Sequence, residues 1–416
     1  MKIVLHTQYY PPEIGAPQTR LAVLAQAFVE RGHEVTVLTA MPNYPRGQIY
    51  SGYGGLHCCE VIEGVKVLRS FIYPTKSVGF VRRMGNYLSF VASSGVVGAA
   101  VLPRADVLIT ESPPLFLGLS GWLLSRLKRA RWVFNVSDLW PESAVRLGVI
   151  RPGLGLRLAE RLEAFSYQHA WLVTGQSREI LSDIAARFPD VPTFHLSNGV
   201  ETSRFRPDLR SDRLRAELLD GLTSSCVAIY AGLHGIAQGL EQVLEAAAKL
   251  RETSELAIVF VGDGPEKGRL IRQANGLGLK NVRFLDPRPR EAMPALMASA
   301  DIALVPLGTR LPGAVPSKLY EAMGSGLPVV LAADGEAARI VNETGAGLAV
   351  RPGDSDGLAG ALSSLAADSE MRHRMGRDGR AAVEARFDRR KIADAFTTHL
   401  EDHFGADPAT TTTRVS

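Results

Sequence analysis

Cysteine is scarce in this chain of 416 residues: there are three, Cys58, Cys59 and Cys226, and no C-x-x-C spacing. That excludes a disulfide framework and a cysteine-based structural zinc site, and it fits a reducing compartment. The nine histidines are read as forming no metal site. The apolar run at Lys2–Thr7 is too short for a signal peptide, and no small-residue cleavage site follows it. The expectation is a cytoplasmic protein. No nucleophile elbow and no Ser/His/Asp order is visible. The G-x-G-x-x-G of a nicotinamide-dependent oxidoreductase is missing after the first strand, where a proline-rich loop stands instead. Apolar residues at 46% and charged residues at 22% are the composition of a globular protein, which excludes a fibrous or disordered one.

Charge of one sign is missing locally. The formal net charge is only +4, yet within 66–131 ten basic residues face two acidic ones, Asp106 and Glu111. Nucleic acid and an anionic membrane surface are the two partners such an excess fits. Inside this region Met84–Leu102 carries no charge over 19 residues. Asn86, three serines and several glycines speak against a spanning helix. A half-buried helix touching lipid, flanked by Arg82, Arg83, Arg126, Lys128 and Arg129, is the membrane reading; a core helix with a cationic rim is the plain one.

Strand-like runs alternate with helical patterns along the whole chain. They read as Lys2–Thr7, Glu34–Thr39, Val65–Ser70, Asp106–Thr110, Arg131–Ser137, Ala170–Thr174 and Thr193–Ser197. After a polar, arginine-rich stretch they resume at Cys226–Gly232, Leu256–Gly262, Asn281–Leu285, Asp301–Pro306, Leu327–Leu331 and Gly347–Val350. This rhythm predicts an α/β protein of two doubly wound parallel-sheet domains, 1–200 and 201–387. A helix is expected over 388–404 and a disordered tail over 405–416. Ligands of such folds bind at the carboxyl ends of the strands, and a cleft between the domains is the expected place.

Several turns sit where chemistry belongs. Pro316-Ser317-Lys318-Leu319 opens a helix whose N-terminus suits a phosphate, with Lys318 adding charge. Glu321, on the same face, suits two ribose hydroxyls; alternatively, Lys318 and Glu321 merely pair on a surface helix. Tyr230–Leu240 is a glycine-rich strand-to-helix turn with Gly232, Gly235 and Gly239, where backbone N–H groups can approach a diphosphate. His234 lies inside it as a candidate proton donor. Gly262-Asp263-Gly264 and Asp286–Pro289, with Arg288, are weaker turns of the same kind. In the first half, Tyr9–Pro17 forms a structured loop with Tyr10, Glu13 and Gly15. Ser137–Ser143 carries Asp138, Trp140 and Glu142, groups able to orient hydroxyls or stack on a sugar; loop capping is the competing role of these carboxylates.

Together, the Tyr9–Arg20 opening, the Met41–Pro45 loop, the Asp138–Ser143 turn, Asn198-Gly199-Val200 and Pro316–Val330 resemble the family 4 retaining glycosyltransferases of the GT-B fold. The likeness is to the branch with L-fucosamine transferase-like and colanic-acid enzymes of bacterial surface polysaccharides such as O-antigen and capsule. It implies an acceptor-binding N-terminal domain, a nucleotide-sugar-binding C-terminal domain and a last helix crossing back to the first. The implied donor is a UDP-sugar, such as UDP-linked N-acetyl-L-fucosamine. The implied acceptor is an undecaprenyl-diphosphate-linked saccharide at the cytoplasmic face of the inner membrane, with no nucleic acid involved. Donor contacts carry over to Gly15, Gly232, Gly235, Gly239, Gly262, Arg288, Pro316, Ser317, Lys318, Leu319 and Glu321. Acceptor contacts are expected at Tyr10, Glu13, Trp140 and Glu142, and catalytic roles at Asp138, Lys318 and His234. No cofactor and no metal is expected. The chain departs from the family at Gly313, where a glutamate often stands. It departs again at Leu233, His234 and Gln238, where arginine and lysine are common. A sugar-nucleotide epimerase of the same fold and a non-catalytic membrane-associated subunit are the alternatives.

Overall fold

The computed structural model describes residues 1–76, 79–222, 224–251 and 255–405. They form two units, Met1–Ser197 joined by the chain from Arg389, and Asn198–Asp388. Residues 406–416 of the expected tail lie outside the described residues, and Gly405 closes the last helix, Arg389–Gly405.

In unit 1 the strands are β1 Lys2–His6, β2 Glu34–Ala40, β3 His57–Ile62, β4 Val65–Ser70, β5 Val107–Ser112, β6 Arg131–Val136, β7 Leu172–Gly175 and β8 Thr193–His195. The sheet order is β3-β4-β2-β1-β5-β6-β7-β8, and only the β3–β4 pair is antiparallel. The inner strands read as continuous Val/Ile/Leu runs because helices cover both faces. Strand β3 was not expected. It alternates exposed and half-buried positions at the sheet edge, so its apolar signal is weak.

Five helices of this unit matter to the site: α1 Ala16–Glu30, α2 Phe80–Val101, α3 Leu117–Lys128, α4 Glu142–Arg146 and α5 Leu154–His169. Helix α1 has proline at its first turn, where the missing N–H costs nothing,. The last helix packs on α1 through Phe396 against Phe28, their ring centroids 6.2 Å apart. Leu400 and Ala393 join the same buried cluster.

In unit 2 the strands are β9 Cys226–Ala231, β10 Leu256–Val261, β11 Val282–Leu285, β12 Ile302–Pro306, β13 Val329–Ala332 and β14 Gly347–Val350. The order is β11-β10-β9-β12-β13-β14, all parallel. In each sheet the strand order reverses once, between β1 and β5 and between β9 and β12. The carboxyl ends at such a reversal are where an open α/β sheet leaves room for a ligand.

Candidate functional site

The reversal in unit 2 gathers the turns the sequence singled out. The loop after β9 begins at Gly232, and the helix that follows β12 begins at Ser317, capped by Pro316 without any side-chain hydrogen bond. The Leu319 N–H donates to the Pro316 carbonyl at 3.0 Å, and the N–H groups of Ser317 and Lys318 are left for a ligand. Lys318 reaches across: its Cε lies 2.2 Å and its Nζ 2.6 Å from where a Gly232 Cβ would stand. At φ +147 that residue must also adopt backbone that side-chain-bearing residues rarely take,. The Lys318 ammonium lies 5.8 Å from the Tyr230 ring centroid. Desolvation holds its pKa below the usual 10.5, while the charge of Glu321 opposes that shift. A glycine-lined turn, a partly desolvated cation and open helix N–H groups make a seat for a diphosphate.

Around this seat the structure refines the residue assignments. Gly262 packs on the turn so closely that a Cβ would meet the Gly232 carbonyl oxygen at 2.0 Å. Gly239 touches Gly308 of the β12 loop in the same way. Arg288 is tied to Glu217 by an ion pair, and the arginine whose charge interacts with Glu321 is Arg290, which the sequence reading passed over. His234 is a correction. Its ring is fully buried among Tyr230, Phe260 and Phe284, and neither ring nitrogen has a partner. Burial first, then the Lys267 charge, lowers its pKa to about 4. A neutral, enclosed imidazole is no proton donor to a diphosphate; it is the His234 backbone that packs against Gly264. A wide groove of about 790 Å³ runs along the Ser369–Ala382 helix beside Pro207 and Gly326 and holds none of these residues.

The reversal in unit 1 brings together the loops after β1, β5 and β6. Tyr10 and Glu13 are corrections here. Tyr10 is 1% exposed and belongs to the core beneath α1. Glu13 is buried, and its Oε1 accepts hydrogen bonds from the backbone N–H groups of Asn43 (2.8 Å) and Tyr44 (2.7 Å). It braces the Met41–Pro45 loop. Burial raises its pKa, and the backbone N–H groups of Asn43, Tyr44 and Tyr10 oppose that shift. The tyrosines at the loop surface are Tyr9 and Tyr44, their rings 5.7 Å apart and edge-on. Gly15 stands just before α1. Trp140 leans edge-on against Phe116 at 5.6 Å. Glu142 pairs with Arg146 on its own short helix at 2.7 Å.

Asp138 differs from these carboxylates. Burial, then the nearby Glu111 charge, pushes its pKa up to about 6, with Arg20 pulling the other way. Glu111 and Arg20 were missed from sequence. They form a buried ion pair of 2.5 Å.

The uncharged stretch is α2. Among the described residues it holds one segment, Val81–Val101, long and apolar enough to cross a membrane by length and composition. Asn86, Phe90, Ser94 and Val97 nevertheless form a buried stripe, and Ser94 accepts or donates at His6 Nε2, 3.0 Å away. The outer face shows Val81, Leu88 and Val96, and α3 adds Leu119, Leu123 and Leu127. Arg82, Arg126 and Arg129 are exposed beside them. Arg83 donates to the Tyr87 hydroxyl at 3.2 Å. Lys128 is a correction: its ammonium donates to the carbonyls of Ala99 (2.8 Å) and Leu102 (2.6 Å), capping the end of α2,. The histidine reading passed over one spacing. His399 and His403 do stand in H-x-x-x-H spacing on the last helix, rings 4.3 Å apart. Among the described residues, however, no group of three or more His, Cys, Asp or Glu is placed to hold a metal ion.

Two family models match the chain: a "Glycosyl transferase 4-like domain" over residues 15–199 and "Glycosyl transferases group 1" over 223–382. A putative colanic acid biosynthesis glycosyl transferase, WcaI of Escherichia coli (strain K12), is 30% identical over 346 residues, 80% of this chain and 84% of that one. Sucrose-phosphate synthase from Thermosynechococcus elongatus superposes with a TM-score of 0.77 at 19% identity, covering 98% of this chain and all of the other. Anabaena Alr3699/HepE, solved in complex with UDP-glucose, gives 0.71 at 21% identity, covering 97% and 100%. At these identities the solved structures establish the fold, which is GT-B.

Proposed function

The chain belongs to the group 1, 4-like glycosyltransferases, and from that premise we propose that it is a retaining transferase moving a sugar from a UDP-sugar to a lipid-linked saccharide in surface polysaccharide synthesis. The observation that carries this reading is the placement of Lys318 on the Gly232 turn at the sheet reversal of unit 2. Breaking the bond between sugar and diphosphate leaves negative charge on the departing oxygen and positive charge on the ring. Groups already aimed at that oxygen lower the barrier most. Lys318 and the N–H groups of Ser317 and Lys318 supply them without a metal. Glu321, beside Lys318 and Arg290, holds the ribose. The freed diphosphate oxygen takes the acceptor's proton on the same face, so retention needs no protein nucleophile and no glycosidase-like carboxylate pair. Asp138 orients the acceptor hydroxyl, with Trp140 beside it. Likeness to WcaI supports a role in surface polysaccharide synthesis, and the fold shared with a protein solved with UDP-glucose supports a UDP-linked donor; for the sugar we name an N-acetylated amino sugar such as N-acetyl-L-fucosamine, and for the acceptor an undecaprenyl-diphosphate-linked saccharide.

The outer faces of α2 and α3, apolar with Arg82, Arg126 and Arg129 at their margin, support docking on the anionic cytoplasmic face of the inner membrane. A thermal-shift screen of nucleotides and UDP-sugars tests the donor assignment. Ligands of the folded state alone raise the melting temperature by mass action. UDP and UDP-N-acetylated amino sugars should stabilise most, and stabilisation by guanosine nucleotides alone would overturn the assignment.

A further inference from the structure

We propose that the buried Arg20–Glu111 pair is the positioning element of Asp138: it anchors the Ser137–Ser143 loop to the sheet and places one charge of each sign beside the Asp138 carboxyl group. This rests on the reading of Asp138 as the group that orients the acceptor. Glu111, Asn135 and Thr174 form one row across β5, β6 and β7, in direct register. Asn135 donates to Glu111 Oε2 at 2.5 Å, and the Thr174 hydroxyl donates to Asn135 Oδ1 at 2.6 Å. Arg20, from α1, donates to Glu111 Oε1 at 2.5 Å. The same oxygen accepts the Ser137 hydroxyl at 2.6 Å. Ser137 is held at two more points, its N–H by the Ser112 carbonyl at 2.8 Å and its own carbonyl by the Gln176 amide. The residue before Asp138 is therefore fixed from β5 and from the loop after β7.

A buried ion pair adds little stability over apolar residues of the same volume, so packing alone gives no account of these two charges. Their position does. The charged groups acting on Asp138 are Glu111 from β5 and Arg20 from α1. The neighbour on the β7 side, Gln176, is neutral, and Glu142 on the same loop is spent on Arg146. Burial favours the protonated carboxyl, Glu111 adds to that and Arg20 opposes it, which leaves Asp138 divided between the two forms near pH 6,.

The test uses the full-length protein and follows the Asp138 carboxyl carbon by NMR with 13C-labelled aspartate, its signal assigned by absence from Asp138→Asn. In the wild type it should titrate near pH 6. Glu111→Gln removes the negative neighbour and moves the midpoint down by about one pH unit or more; Arg20→Met moves it up by a similar amount. Shifts of opposite sign support the proposal. A midpoint unmoved in both folded variants overturns it. Removing one partner of a buried pair is strongly destabilising, so Ser137→Ala provides a second arm that leaves the pair intact. It should lower kcat several-fold at unchanged donor KM in protein that stays folded at the assay temperature; unchanged kcat overturns the anchoring role. Asp138→Asn separates the two layers. If that variant keeps full turnover while the opposite shifts are seen, the positioning stands and the acceptor-orienting role of Asp138 falls.

Discussion

Replacing Lys318 with methionine separates the diphosphate seat from the fold. Methionine keeps much of the stem that packs on Gly232 and Tyr230 and deletes only the charge. A hydrogen bond to a charged group contributes roughly 1.5–3 kcal/mol, so UDP affinity should fall about 10- to 150-fold. In the transition state the leaving oxygen carries more charge, and kcat should fall about 100- to 1000-fold. Stability without ligand should move the other way. Desolvation holds the Lys318 pKa below 10.5, so the unfolded chain binds this proton more tightly than the folded one. The contribution of this group to stability therefore rises as pH climbs toward 10.5, and Lys318→Met lacks that slope. Calorimetric titration with UDP and thermal melts from pH 7 up to 10.5 read both effects. A variant that binds UDP within twofold of wild type, or that melts lower without nucleotide, refutes the reasoning.

Two further outcomes follow from the same account. Glu321→Ala should weaken UDP by roughly 1–3 kcal/mol and leave the affinity for a 2′,3′-dideoxy analogue unchanged; equal losses for both ligands would show that the carboxylate does not hold the ribose. Reversing charge at Arg82, Arg126 and Arg129 to glutamate should cut binding to phosphatidylglycerol vesicles about a hundredfold or more, at about 1 kcal/mol per basic residue lost, with binding to neutral vesicles unaffected. Wild-type protein that ignores anionic vesicles would end the membrane reading.

The two sheets are legible because buried parallel strands are written as apolar runs, thirteen of them against the fourteen strands found among the described residues. The one missed, β3, lies at an edge and alternates instead. The seat around Lys318 was legible too, since glycine turns and a helix start are local signals. What sequence could not give was direction. Tyr10 and Tyr9 are adjacent, and a single residue decides which enters the core. His234 lies in a glycine turn, yet its ring folds back onto Phe260. Lys128 reads as a surface cation and serves as a helix cap. Arg20 and Glu111 stand 91 positions apart, one in a helix and one in an apolar strand, and no spacing announces that they meet.

The central claim is tested most directly by incubating the protein with a UDP-linked N-acetylated amino sugar and vesicles carrying undecaprenyl-diphosphate saccharide, then weighing the lipid product by mass spectrometry and reading the new anomeric centre by NMR. The account predicts a gain of one sugar with retained configuration, insensitive to EDTA and lost in Lys318→Met. Interconversion of the UDP-sugar without any gain on the lipid would contradict it, and so would an inverted linkage.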